Sequence, residues 1–142
     1  MHDAVPPSHQ SGDDVLDRHF GSALLKIEGC ARIVAEALLH MDAKRYLLQA
    51  WCIMPNHVHI LLATAKAHEL GGVVRSWKAY SAARINKLVG RKGSLWAKDY
   101  FDRYIRDDKH FETTKRYIEM NPVAAGLCDR SEDWRFSSAG WK

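Results

Sequence analysis

The chain has 142 residues, of which 46% are hydrophobic, so it can bury one core but has no length for a second domain. Lysine and arginine total 21 against 17 acids, and the net charge of +4 favours a polyanionic partner such as nucleic acid. Three widely spaced cysteines indicate neither a disulfide framework nor a cysteine zinc site, which fits a reducing compartment. No apolar run reaches the ~20 residues of a membrane span and no signal peptide is recognisable, so we expect a cytoplasmic protein with no membrane partner.

The first third of the chain begins with a polar segment and continues with regularly spaced apolar residues. Residues 1–15 are polar, contain two adjacent prolines and predict a flexible arm, which leaves one domain over residues 16–142. From Cys30 to Met41 the apolar residues recur at helical spacing and predict a helix.

Two strands and a second helix are predicted next. Arg45 to Ile53 is apolar and aromatic, and after a turn at Pro55-Asn56 the residues from His57 to Leu62 alternate, which predicts an antiparallel pair of strands. Gly71-Gly72 is expected to break the chain before a helix over Val73 to Leu88, which has an apolar face and a basic face.

The last elements complete the predicted fold. Trp96 to Arg106 is aromatic and predicts a strand. His110 to Met120 predicts a helix, with Asp107-Asp108 as its cap and Asn121-Pro122 as its stop. This order of elements is most of a ferredoxin-like α/β (α+β) sandwich, an antiparallel sheet with helices on one face. Such a sandwich normally opens with a further strand, which we expect to be missing here.

The motif His57-Val58-His59 is the most informative feature, because strand alternation points both imidazoles to one side and so provides half of a metal site. Tyr117 and Asn121 are four residues apart and share one helix face. The two pairs together suggest metal-assisted attack by a tyrosine. The alternatives are ordinary polar residues on a half-exposed strand and, for Tyr117, a core aromatic under the helix end.

Several ordered segments resemble one family. The run Met54-Pro-Asn-His-Val-His59, followed by an apolar strand, resembles the signature of HUH single-tyrosine transposases. The run Tyr117-Ile-Glu-Met-Asn-Pro-Val-Ala-Ala-Gly126 resembles the nucleophile helix of the REP-associated tyrosine transposase branch. Segments at Ser76 to Lys78, Trp96 to Asp107 and Asp133 to Ser138 resemble the same branch in the same order. The resemblance covers the chain from about Leu16 onward.

The resemblance implies an activity and a set of site residues. His57, His59 and Asn121 would hold a divalent cation, and Tyr117 would be the catalytic nucleophile that cleaves single-stranded DNA near hairpins. Imidazole and amide ligands with open positions suit Mg²⁺ or Mn²⁺. Attack would leave a 5′-phosphotyrosine link and a free 3′-hydroxyl, so that the step can be reversed to rejoin strands.

Seven basic side chains are expected to contact DNA, because most are interleaved with Trp77 and Tyr80 near the proposed site. They are Arg75, Lys78, Arg84, Lys87, Arg91, Arg103 and Arg106. The alternative is a solvated helix face. The expected partner is single-stranded or hairpin DNA, and a homodimer is a further possibility.

Two rival functions are also compatible with the sequence. One is a truncated or degenerate copy that binds hairpin DNA without cleavage. The other is a metallohydrolase in which the metal activates water and Tyr117 is structural. Nothing from Met1 to Phe20 resembles the aromatic-rich opening strand of the family, which suggests either a shortened or mis-started chain or a strand supplied by a partner molecule.

Overall fold

The computed structural model describes residues 9–13, 24–40, 42, 44–64, 70–96, 101–104 and 107–141. Its elements in chain order are β1 (His9–Asp13), α1 (Glu28–His40), β2 (Tyr46–Met54), β3 (His57–Thr64), α2 (Leu70–Val89), β4 (Phe101–Tyr104) and α3 (Asp108–Ala124). Short 3₁₀ helices lie at Leu24–Lys26 and Ser131–Asp133. The predicted mixed α/β sandwich with an antiparallel sheet is confirmed.

The sheet has four strands in the order β2-β3-β1-β4. The sequence predicts no opening strand, but His9–Asp13 pairs antiparallel with β3 on one side and with β4 on the other. Strand pairing uses backbone N–H and C=O groups, which a polar segment supplies as well as an aromatic one. The predicted arm over residues 1–15 therefore contains a strand, and the remainder of it lies outside the described residues.

The two faces of the sheet carry different helices, whereas the sequence predicted helices on one face. Trp51, Ile53 and Val58 belong to a large buried cluster with α1 and α2. Cys52 and Leu61 belong to a smaller buried cluster on the other face, with α3. The face to which each side chain of β2 points depends on a register shift between Leu48 and Ala50. One extra residue in β2 at that point turns every later side chain of the strand to the opposite face.

Two predicted helix limits are wrong for identifiable reasons. Helix α2 begins at Leu70, whose buried side chain joins the large cluster, so Gly71-Gly72 lies inside the first turn instead of before it. Helix α3 continues through Pro122, whose ring is buried, and ends only at Ala124. The helix stops at Gly126, whose φ is 78°. The N–H of the next residue, Leu127, donates to Pro122 O. This is the Schellman geometry, which favours glycine at the left-handed position.

The carboxyl-terminal segment covers the outer edge of β2. Ile53 N donates to Phe136 O at 2.8 Å, and Ser138 N donates to Trp51 O at 2.8 Å. Pairing of this kind satisfies backbone groups that an edge strand would otherwise expose. The tail therefore packs against the body of the domain as a short cap. Within the described ranges, no helix is long and apolar enough to cross a membrane.

Candidate active site

The two histidines of the motif lie at the start of β3, directly after the turn at Pro55-Asn56. In the register of the sheet His57 is opposite Met54 and His59 is opposite Cys52, so both imidazoles lie on the face that α3 covers. His57 is half-buried, whereas His59 is only 5% exposed. Their Nε2 atoms are 3.0 Å apart, which confirms that the two rings converge.

The orientation of His57 is fixed by its neighbour in the chain. His57 Nδ1 lies 2.8 Å from Asn56 Oδ1. An amide oxygen can only accept a hydrogen bond, so a neutral His57 carries its proton on Nδ1 and presents the lone pair of Nε2 toward His59. Sequence reasoning did not assign a role to Asn56. The available signal was its position between the turn proline and the first histidine.

Tyr117 is held at the rim of the site by the residue that follows it. Ile118 is 1% exposed and packs in the smaller cluster with Leu61, which fixes this turn of α3 on the sheet. Tyr117 itself is 53% exposed, and its ring lies 5.7 Å from that of His59 at an interplanar angle of 79°. The alternative of a core aromatic is therefore wrong. A half-exposed side chain beside a histidine pair is accessible to an incoming substrate.

The third predicted ligand is the one whose position rests on spacing alone. Asn121 follows Tyr117 by one helical turn and is partly buried, so it projects from the same side of α3. Within the described residues no three His, Cys, Asp or Glu side chains are grouped as a metal site. A cation at the histidine pair would therefore need an amide, water or phosphate oxygen, and Asn121 as a ligand stays a prediction.

Cys52 lies opposite His59 on the neighbouring strand and is not available as a thiolate ligand. Its side chain is fully buried and its Sγ contacts Met54 Sδ at 3.7 Å. Burial raises the pKa of Cys52 to about 12, and the nearby Cys128 and Glu119 add to the rise. The thiol is therefore neutral at physiological pH. Cys52 is therefore a core residue.

A second contact that the sequence did not reveal joins α3 to the tail. Ser138 Oγ donates to Glu119 Oε2 at 2.6 Å, and Trp51 N donates to the same Ser138 Oγ at 3.1 Å. Because Glu119 is two residues after Tyr117, this link holds the tyrosine-bearing turn against β2. The partners are far apart in the chain, so no local pattern could indicate it.

The basic residues of α2 lie on the other side of the sheet, since the buried residues of α2 belong to the large cluster. Their expected proximity to the histidine pair is therefore wrong. Arg84 stacks on Tyr80 with 4.3 Å from Cζ to the ring centroid, and Arg91 donates to Asn86 Oδ1 at 2.9 Å. Arg103 is in β4, and Arg106 lies outside the described residues. Their contact with DNA stays a prediction.

The structure is a mixed α/β sandwich with converging histidines on an interior strand and an exposed tyrosine on the adjacent helix. These features can be compared with those of known families. The family model described as Transposase IS200 like matches residues 28–121, which is more than half of the chain and includes both histidines and the tyrosine. The chain therefore belongs to the IS200-like transposase family.

Individual relatives are more distant. A Haemophilus influenzae protein assigned as a REP-associated tyrosine transposase is 26% identical over 99 residues, covering 63% of this chain and 56% of that protein. The chain thus spans about half the length of this curated relative. The structure of a REP-associated tyrosine transposase bound to a REP hairpin matches with a TM-score of 0.73 and 21% identity, over 97% of this chain and 80% of that one. A crystal structure of a protein from Deinococcus radiodurans R1 assigned as a transposase matches with a TM-score of 0.50 and 16% identity, over 89% and 95% of the two chains.

Proposed function

We propose that this protein is a metal-dependent transposase that cleaves and rejoins single-stranded DNA beside hairpins, with Tyr117 as the nucleophile. The observation that carries the proposal is the contact of the exposed Tyr117 ring with His59, whose Nε2 converges with that of His57. The family membership and the hairpin bound by the similar solved structure support a hairpin DNA substrate. The cytoplasm is the expected location, and a homodimer stays a prediction.

The donor set fits a divalent cation. Two ligands at about 2.1 Å from one cation and at right angles to each other are about 3.0 Å apart, which is the measured Nε2 to Nε2 distance. Asn56 already orients His57 for such a role. His57, His59 and Asn121 would hold Mg²⁺ or Mn²⁺. When bound, the cation would offset negative charge on the scissile phosphate.

The chemical step assigned to Tyr117 is a transesterification. Its Oη bonds to phosphorus, the bond from phosphorus to the 3′-oxygen breaks, and the hydroxyl proton passes to solvent while the leaving oxygen takes one up. The products are a 5′-phosphotyrosine and a free 3′-hydroxyl. One phosphoester replaces another, so a 3′-hydroxyl can reverse the step without a nucleotide cofactor. Exposure of the side chain leaves room for the strand.

The test uses a hairpin oligonucleotide with single-stranded arms, labelled at either end and incubated with Mg²⁺. The 3′-terminal fragment should run with the protein on a denaturing gel, while the 5′-terminal fragment is released. Cleavage without a protein adduct would favour the water-activating hydrolase. Binding of the hairpin with neither cleavage nor adduct would favour the degenerate copy.

A further inference from the structure

A surface cavity of about 240 Å³ lies on the opposite side of the sheet from the histidine pair, where α1 ends and α2 begins. Its lining comprises Ala37, His40, Arg45, Ser76, Trp77 and Tyr80. The volume is below the roughly 300 to 1,000 Å³ that is common for whole small-molecule ligands. It therefore suits one planar group that enters from a longer molecule.

Two aromatic rings line the cavity and are already held in place. Trp77 Nε1 donates to Tyr46 Oη at 2.9 Å, and the Tyr46 hydroxyl donates in turn to Leu38 O. Tyr80 is 36% exposed, and Arg84 stacks on its ring at 4.3 Å. Fixed aromatic rings at an exposed position lose little entropy when a flat ligand stacks on them, and nucleobases stack in this way.

Two arginines lie beside these rings, over the glycine pair of α2. A methyl group placed on Gly72 would lie 3.4 Å from Arg45 Nη2 and 3.8 Å from Arg75 Nη2. Arg45 also donates to Ser76 Oγ at 3.1 Å. In the part of the chain that the structure describes, neither guanidinium forms an ion pair with an acid. Two neighbouring positive charges favour a phosphate.

We propose that this cavity binds an unpaired base of the DNA, with the adjoining phosphate held by Arg45 and Arg75. The proposal rests on the proposed function and adds a second point of contact to it. Tyr46, whose hydroxyl holds Trp77, pairs with Thr64 at the far end of β3. Since β3 has eight residues, the two ends of that strand are about 23 Å apart. The base bound here is therefore several nucleotides from the one that is cut.

The test measures DNA binding in chelator, so that no cleavage occurs. A hairpin oligonucleotide with single-stranded arms and a fluorescent label is prepared as a series in which each arm position in turn lacks its base. For the wild-type protein, loss of one particular base should weaken binding about 5- to 100-fold, measured by fluorescence anisotropy. Tyr80→Ala should weaken binding of the intact DNA by a similar factor. The variant should then bind the DNA that lacks that base as tightly as it binds the intact DNA.

Matched controls isolate the stacking contribution. Tyr80→Phe keeps the ring and should bind like the wild type, and Leu88→Ala removes another exposed apolar side chain of α2 without touching the cavity lining. Thermal unfolding of each variant checks that it is folded. A blunt duplex of the same length should bind equally well to all four proteins.

The phosphate contact is tested separately. A neutral methylphosphonate next to the critical base should weaken DNA binding by the wild type and should not weaken it further in Arg45→Ala. Binding by the control variant Lys92→Ala should be weakened by the methylphosphonate as wild-type binding is.

Two results would overturn this inference and leave the proposed function standing. One is that removal of any single arm base leaves wild-type affinity unchanged. The other is that Tyr80→Ala weakens binding of the duplex as much as binding of the hairpin. Competition by deoxyadenosine monophosphate as strong as that by the oligonucleotide would assign the cavity to a free nucleotide. Failure of the wild type to bind any hairpin would overturn the proposed function as well.

Discussion

Tyr117 and His59 come from different elements, yet their rings meet almost at right angles with their centroids 5.7 Å apart. The histidine is buried in the sheet, and the tyrosine is more than half exposed on the helix above it. Burial of one partner gives a rigid platform, and exposure of the other leaves its side chain accessible. If Tyr117 is the nucleophile, as proposed above, the reacting group lies at the surface and rests on a buried side chain.

Tyr117→Phe tests the nucleophile, because it removes only the hydroxyl and keeps the ring against His59. We expect covalent adduct and strand cleavage to fall below detection, while the affinity for hairpin DNA stays within about twofold. The adduct is measured on a denaturing gel, and the affinity is measured by anisotropy in chelator. Persistence of the adduct would assign the role to Tyr100 or Tyr104 instead.

His57→Ala and His59→Ala test the cation site. Each removes one of two converging Nε2 atoms, so Mg²⁺- or Mn²⁺-dependent cleavage should be lost in both variants, as it should in the wild type with chelator. Calorimetric titration with Mn²⁺ gives a readout that does not depend on cleavage. His40→Ala, on the exposed end of α1, is the matched control and should bind Mn²⁺ as the wild type does. Full activity in chelator would contradict the metal site.

Asn56→Ala tests whether the amide orients His57. The substitution removes the 2.8 Å contact to Nδ1 and lets the ring change its tautomer and rotate. Loss of such an orienting partner typically lowers metal affinity about 10- to 100-fold. We therefore expect weaker Mn²⁺ binding in calorimetry and a cleavage rate that recovers at high metal concentration. A purely structural role would lower the unfolding temperature without changing the metal dependence.

The sequence predicted the parts of this site that depend on local pattern. The Pro55-Asn56 turn, the alternation from His57 onward and the Asp107 cap, which accepts from His110 N at 2.8 Å, are all set by neighbouring residues. The parts that were missed depend on distant contacts. The register shift before Ala50 decides which side chains of β2 face α3, and no residue type in β2 marks it.

The basic face of α2 has a test that separates DNA contact from solvation. Substituting Lys78, Arg84 and Lys87 together by alanine should weaken binding of single-stranded DNA and reduce the salt dependence of log K by roughly 0.7 for each lost phosphate contact. Binding is measured by anisotropy over a series of salt concentrations. A triple variant that removes the same charge elsewhere is the control: Lys26, Arg32 and Arg130, each to alanine. If the slope of log K against log salt concentration is equal for the two triple variants, the α2 residues are solvated and do not contact DNA.

The buried thiol of Cys52 makes the stability of the fold depend on pH in the alkaline range. Burial raises its pKa to about 12 from an ordinary value near 9.0, so the folded state favours the protonated thiol. The folded pKa is the higher one. The stabilisation is therefore complete below about pH 9 and is lost as pH rises toward 12. At pH 11 ionisation of this group alone should lower the free energy of unfolding by roughly 3 kcal/mol. Cys52→Ala removes the ionisable group, so its stability, measured by urea unfolding, should fall less than that of the wild type between pH 9 and 11. The variant should also keep metal-dependent cleavage, because a neutral thiol is not a ligand, whereas loss of Mn²⁺ binding in a folded Cys52→Ala protein would show that the sulfur belongs to the site.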